Sequence, residues 1–430
     1  MKQIALDRFG IDEIIFLYKD KPVIKVLQGI RRSGKSFMLE LLSRKILESG
    51  AAENQILLLN MEDFENAEFL DAKKLYDFIK SKSEAAGGKK LYLFLDEVQE
   101  VSGWEKLVNS LCSSATIDAD IYITGSNANL LSSELATYLS GRYVLIHVWP
   151  LSYREFLYFN SENDSAAAFR KFIEFGGFPG LKDMMENPVQ IRSYLEGIYS
   201  TVLLKDVIAR NRIRDTAVLE KIILYIADNT GNIFSAKRIS DFMKSGGRPL
   251  SVETIYNDIK YLENALVLHK VPRYDVRGKK ILETMEKYYL ADQGLLTFLH
   301  GYKDTYINGI LENIVFIELL RRGYKDTYIN GILENIVFIE LLRHGYKVFI
   351  GKIVDMEIDF VAEKNGEKLY IQVAYLIGSE ETKERELRPL KSLLALGDNF
   401  PKLILTMDDL PPSNENGIVR KNIREWILEG

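Results

Sequence analysis

The eight residues Gly29-Ile30-Arg31-Arg32-Ser33-Gly34-Lys35-Ser36 fit the pattern G-x-x-x-x-G-K-[ST] at every position, between the run VIKVLQ (23–28) and the helical run SFMLELLSRKIL (36–47). A strand, a glycine-bearing loop and a helix in that order leave few folds open, because the loop must curl until its backbone N–H groups and the helix N-terminus face a phosphate. In this arrangement Lys35 neutralises β/γ charge and Ser36 offers its hydroxyl to Mg²⁺. ATP and Mg²⁺ are therefore the expected ligands, with Gly29, Arg32, Ser33, Gly34, Lys35 and Ser36 as the binding set. A chance glycine-rich turn would need neither the strand before it nor the helix after it.

The first third of the chain repeats this alternation. VIKVLQ is followed by QILLLN (55–60), LYLFLD (91–96), IYITGS (121–126) and YVLIHV (143–148), with helical patterns between them, which predicts a parallel sheet wrapped by helices. LYLFLDEVQE ends its apolar strand in Asp96 and Glu97. Asp96 is placed to hold Mg²⁺ through water, and Glu97 to orient or deprotonate the attacking water. The strand IYITGS leads into Asn127, which either senses the γ-phosphate or serves as a turn or cap residue, with Ser126 as the adjacent alternative. Arg142, just before YVLIHV, is either an arginine finger acting on a neighbouring subunit or a solvated surface arginine.

At 430 residues with 47% hydrophobic and 27% charged, the chain can bury more than one core and is expected to form roughly three domains. The start MKQIALDRFGIDEIIF lacks the pattern of a signal peptide, and no apolar run reaches the length of a membrane span, so a cytoplasmic protein without membrane association is expected. The single cysteine, Cys112, excludes an internal disulfide and is expected in the core, while four scattered histidines give little material for a metal cluster. The net charge of −5 argues against a chain coated in nucleic acid, although charge can be segregated locally.

The segments GIRRSGKS, FLDEVQEVSGWE, TGSNANLLSSELATYLSGRY, PLSYREF and GGFPG resemble a widespread group of prokaryotic AAA+ ATPases. In that group the ATPase is followed by a winged helix and a C-terminal domain akin to restriction endonucleases. The resemblance implies an α/β fold: a five-stranded AAA+ P-loop sheet over residues 1–150, a helical lid carrying GGFPG over 151–230, a winged helix-turn-helix over 231–300 and a nuclease-like α/β domain over 301–430. It also implies P-loop roles for Lys35 and Ser36, Walker B roles for Asp96 and Glu97, a sensor role for Asn127, the finger position for Arg142, and a homo-oligomer when ATP is bound.

Residues 236–280 hold ten Lys/Arg and five Asp/Glu, a local excess of five positive charges. Two readings stay open for this winged helix. It contacts double-stranded DNA within 251–280, through Thr254, Asn257, Lys260 and Tyr261 on the second helix and Arg273, Arg277, Lys279 and Lys280 on the wing, or it serves only in packing. In the last domain the resemblance sets Glu334 (or its twin Glu312), Asp359 and IQVAY where a metal-binding nuclease core would stand. Gln372 and Ala374 replace the carboxylate and lysine, so cleavage is expected to be lost unless another lysine, such as Lys402, reaches in. The segment 301–322 recurs at 323–344 with only Arg322 and His344 differing. Such a near-identical pair is a tandem duplication rather than a solenoid, and the second copy, leading directly into KVFIGK, is the one expected to fill the helix slot. The expected function is an ATPase whose nucleotide state controls contact with DNA or a protein partner, the alternatives being an ATP-gated nuclease of defence or repair type and a slow nucleotide-sensing DNA-binding regulator.

Overall fold

Apolar strands alternating with helices build the first of two units in the computed structural model, which describes residues 15–126, 141–302, 327–377 and 380–429. The elements run β1 (Ile24–Gln28), α1 (Lys35–Glu48), β2 (Ile56–Asn60), α2 (Ala72–Ala85), β3 (Leu91–Asp96), α3 (Trp104–Cys112), β4 (Ala119–Gly125) and β5 (Tyr143–His147). The strands lie in the order β2-β3-β4-β1-β5 and every neighbouring pair is parallel, which is the expected five-stranded sheet. Because side chains alternate across a strand, each sheet face receives its own core. Val26, Leu93, Leu95 and Ile123 meet α2 and α3 through Leu75, Ile79, Leu107 and Val108. Leu27, Phe94 and Tyr122 point the other way, onto Met38, Leu39 and Leu42 of α1. Cys112, expected in the core, is instead exposed at the end of α3, where the helix's apolar face is already filled by Leu107, Val108 and Leu111.

One charge is buried in the middle of this sheet. Lys25, on the inner strand β1, is fully buried, and its ammonium donates to Asp120 and, at 3.3 Å, to the Lys21 carbonyl. Asp120 also accepts from the Tyr122 hydroxyl at 2.9 Å and the Asp20 amide at 3.0 Å. Burial pulls the Lys25 ammonium below its usual range, and Asp120 only partly offsets this.

In the second unit, α4 (Tyr153–Asn160), α5 (Ala166–Phe175), α6 (Pro188–Thr201), α7 (Thr216–Asp228), α8 (Ala236–Ser245) and α9 (Val252–Asn264) precede a hairpin of β6 (Leu268–Asp275) and β7 (Lys280–Leu290). Their starts are written in the sequence: Ser152 and Glu155 form a capping box, and Asn187, Asp215 and Ser235 each cap the next helix through a side-chain oxygen. Then come α10 (Gln293–Tyr302), α11 (Thr327–Arg343), β8 (Lys347–Ile353), β9 (Met356–Lys364), β10 (Glu367–Ala374), α12 (Glu380–Ala395), β11 (Lys402–Thr406), β12 (Ser413–Glu415), β13 (Ile418–Asn422) and α13 (Ile423–Glu429).

The hairpin is not a free-standing wing. β6 pairs in parallel with β8, so the strands form one eight-stranded sheet in the order β12-β13-β11-β10-β9-β8-β6-β7. The boundary expected at residue 300 therefore runs through a single sheet, because β6 offers β8 a hydrogen-bonding edge that only pairing satisfies. In GGFPG, Gly176 has φ +81° and a Cβ there would come within 2.0 Å of Asp292 Oδ1, while Gly177 donates its N–H to Asp292 Oδ2 at 2.7 Å. The turn thus requires glycine to close on that carboxylate. The second copy of the duplication supplies α11; most of the first, with Glu312, lies outside the described residues. No helix among the described residues is long and apolar enough to cross a membrane.

Asp120→Ala leaves the Lys25 ammonium buried without its carboxylate and is expected to destabilise the first unit by about 3–5 kcal/mol. Lys25→Met combined with Asp120→Leu should recover most of that loss in urea unfolding; an equal loss in the double variant would show that the pair's charges are not what matters.

Candidate functional site

The sheet brings the sequence's two motifs to the same edge. β1 ends at Gln28, and the loop after it turns at Arg32 (φ +65°) and Gly34 (φ +96°) before entering α1 at Lys35. Gly29 must be glycine, since a Cβ would meet the Val148 carbonyl oxygen at 2.1 Å. β3 ends one strand away, with β4 between it and β1, so Asp96 and Glu97 face the loop across Thr124.

Lys35 is nearly buried, and its Nζ donates to the carbonyls of Gly29 at 3.1 Å and Ile30 at 3.3 Å while lying 3.5 Å from Glu97 Oε1. Glu97 sits in the left-handed region (φ +51°), a strained position for a side-chain-bearing residue, and its other oxygen accepts from Gln99 Nε2 at 2.5 Å. Burial works to raise the Glu97 carboxyl, but Lys35, the Gln99 amide and Arg31 together hold it below the usual carboxylate range. Asp96 goes the other way: burial pushes it up, against the hydroxyls of Ser36 and Thr124 that hydrogen-bond to it. One carboxylate is thus kept ionised beside an ammonium, and the other lies next to the Ser36 hydroxyl.

Thr124, which the sequence reading passed over, joins the two acids. Its hydroxyl donates to Asp96 Oδ1 and accepts from the Glu97 amide at 2.9 Å. Its signal was a lone threonine near the end of the run IYITG, but only the strand register identifies its partners. Two further hydroxyls, Ser33 Oγ in the loop and Ser126 Oγ at the end of β4, are buried with no hydrogen-bond partner. Buried donors in that condition suit an acceptor-rich ligand such as phosphate. The neighbouring Ser36 hydroxyl and Asp96 carboxylate are the hard oxygens that suit Mg²⁺. Asn127 lies outside the described residues. Arg142 is exposed at the opposite sheet edge, where its carbonyl accepts from the Ile24 amide at 2.9 Å, so it is not brought to this chain's own P-loop.

In the tail, Glu334 on α11 and Asp359 on β9 do meet, but around Lys287 of β7, a residue that belongs to no motif of the chain. Lys402 is engaged elsewhere, donating to the carbonyls of Asp398 and Phe400 at 2.7 and 2.8 Å. Gln372 donates to Glu386 at 3.0 Å and Ala374 is part of the apolar core.

An AAA domain model matches residues 21–157, and a model for a domain of unknown function (DUF8612) matches residues 166–306. An uncharacterized protein of Haemophilus influenzae is 37% identical over the whole of both chains. The uncharacterized protein MJ1544 of Methanocaldococcus jannaschii is 30% identical over 90% of this chain and 82% of its own length. Among solved structures, the Walker-type ATPase PABY2304 of Pyrococcus abyssi is similar at 16% identity over 69% of this chain and 96% of that one, with a TM-score of 0.48.

Thr124→Val keeps the shape of residue 124 and removes both of its hydrogen bonds. ATP turnover should fall by about 10–100-fold, corresponding to roughly 1–3 kcal/mol of lost positioning, with nucleotide affinity nearly unchanged. Steady-state rates beside a nucleotide titration test this; an unaltered kcat would remove Thr124 from the site.

Proposed function

Because the chain belongs to one family with its Haemophilus and Methanocaldococcus relatives, carries an AAA domain over residues 21–157 and is an AAA+ P-loop ATPase, we propose that Mg²⁺-dependent hydrolysis at Lys35, Ser36, Asp96 and Glu97 controls its contact with DNA or a protein partner. The observation that carries the reading is the chain of contacts at one edge of the parallel sheet, in which Lys35 pairs with Glu97, Ser36 bonds Asp96, and Thr124 joins the Asp96 carboxylate to the Glu97 amide.

Mg²⁺, when bound with ATP, supplies charge neutralisation between the β- and γ-phosphates. Everything else falls to the chain's own groups. The loop amides and the start of α1 cradle the phosphates, and Lys35 moves its third contact from Glu97 to phosphate oxygen. Glu97, released from Lys35 yet still held by Gln99, orients the attacking water and accepts its proton. Gly29, Arg32, Ser33 and Gly34 shape the cradle, with Ser33 Oγ as one of its donors. Asn127 remains the proposed sensor. Arg142 acts on a neighbouring copy, a reading supported by its exposure and by its distance from the chain's own loop.

Contact with DNA rests on the charge excess of 236–280 and on where its members lie. Arg277, Lys279 and Lys280 are exposed around the hairpin tip, and Thr254, Asn257 and Lys260 on the solvent side of α9, whose buried side holds Ile255, Ile259 and Leu262. Tyr261 is half-buried and contributes less surface.

Glu97→Gln should bind ATP and lose turnover, and duplex DNA binding measured in that ATP-locked form should exceed binding without nucleotide. The binding should weaken steeply with salt and with alanine at Arg277, Lys279 and Lys280. DNA binding indifferent to both nucleotide and salt would turn the proposal toward a protein partner. For Arg142, mixing Arg142→Ala with Glu97→Gln subunits should restore part of the ATPase rate at composite interfaces; an inactive mixture in intact assemblies would exclude a role in trans.

A further inference from the structure

Four charged side chains meet inside the second unit. Lys287 is 1% exposed, and its Nζ lies 2.7 Å from Glu357 Oε1, 3.0 Å from Glu334 Oε2 and 3.6 Å from Asp359 Oδ1. The three acids come from two elements, Glu334 from α11 and Glu357 and Asp359 from alternate positions of β9, while the lysine comes from the hairpin strand β7. Glu334 Oε2 also accepts from the Tyr289 hydroxyl at 2.8 Å, and Asp359 Oδ2 from the Val373 amide at 2.8 Å.

Three carboxylates aimed at one point are the donor set of a hard divalent cation. Here that point holds an ammonium group. The Glu334 and Glu357 oxygens stand at N–H···O range from it and Asp359 at ion-pair range, all longer than the roughly 2.0–2.6 Å of Mg²⁺ or Ca²⁺ ligands, and no group of three or more His, Cys, Asp and Glu among the described residues is placed to hold a metal ion. The Glu334 carboxylate packs against Gly231 (φ +82°), where a Cβ would be 3.2 Å from both oxygens, while the Glu357 side chain is 34% exposed. One positive charge against three acids leaves a surplus of negative charge, and burial accordingly pushes both Asp359 and Glu334 above the usual carboxylate range.

We propose that Lys287 is a built-in substitute for a divalent cation: its ammonium fills the position between Glu334, Glu357 and Asp359, and removing it converts the cluster into a Mg²⁺- or Mn²⁺-binding site. The lysine that could have assisted a bound metal stands in the metal's own place, tying β7 to α11 and β9.

The test is Mn²⁺ binding followed by electron paramagnetic resonance on the full-length protein without nucleotide, together with thermal melts. Wild type should bind no Mn²⁺ in a manner that depends on Asp359. Lys287→Met should bind one Mn²⁺ at least about tenfold more tightly than wild type, gain melting temperature from it, and lose both in Lys287→Met/Asp359→Asn. A folded Lys287→Met protein indifferent to Mn²⁺ overturns the proposal. So does wild-type Mn²⁺ binding that Asp359→Asn abolishes, and that comparison decides the matter even where Lys287→Met does not fold.

Discussion

Taking an ammonium group out of water is so unfavourable that, wherever this chain does it, the surroundings are organised around the charge. Lys25 is met by Asp120 in the middle of the parallel sheet, Lys35 by Glu97 and two carbonyls at its edge, Lys402 by the Asp398 turn, and Lys287 by three acids from α11 and β9. The arrangements differ in what the lysine is free to do. Lys25 and Lys402 are enclosed by fixed local partners. Lys35 has one partner, Glu97, that is itself a carboxylate, so in the proposed hydrolysis a phosphate that takes the ammonium would also free that carboxylate. In that proposal, binding and readiness for hydrolysis are linked through a single ion pair.

What could be read from the sequence was whatever is local in the chain. The P-loop, the acidic end of β3 and the strand and helix alternation each occupy a few consecutive residues, and their geometry follows from strand, turn and helix rules. The choice of the second duplicated copy for the helix slot was also legible, since that copy leads straight into β8. Contacts set by register were not. Thr124 matters because β4 pairs with β3 so that residue 124 stands beside residue 96, and no property of IYITGS announces this. Lys287 enters an acid cluster 47 residues further along only because the hairpin joins the tail sheet; a search confined to the tail finds Lys402 instead. Cys112 failed for a simpler reason: its hydrophobicity gives no information about which side of α3 it occupies.

Two of the non-glycine residues with left-handed backbone lie at the candidate site. Arg32 and Glu97 both take left-handed backbone conformations that ordinarily favour glycine, one in the loop before α1 and one at the acid that follows β3. Glu97 is held by its neighbours. The Glu97 amide is fixed by Thr124 and its carboxylate by Gln99 and Lys35, which over-determines the position and aims the side chain back over the sheet edge.

The merging of the hairpin with the tail strands also decides where the eight-stranded sheet ends. One end is β12, three residues long; the other is β7, with eleven. A straight border of that length would be an invitation to edge-to-edge pairing between copies. β7 is poorly suited to it: the ladder to β6 slips between Val271 and Arg273, Met285 turns through φ +66°, and Phe234 closes an antiparallel bridge onto Glu286. Such interruptions bend and partly cap the strand, as bulges and covered edges do in sheets that avoid polymerising. The same strand can therefore present a basic tip at one end and a buried lysine near the other without becoming a template for a fibre.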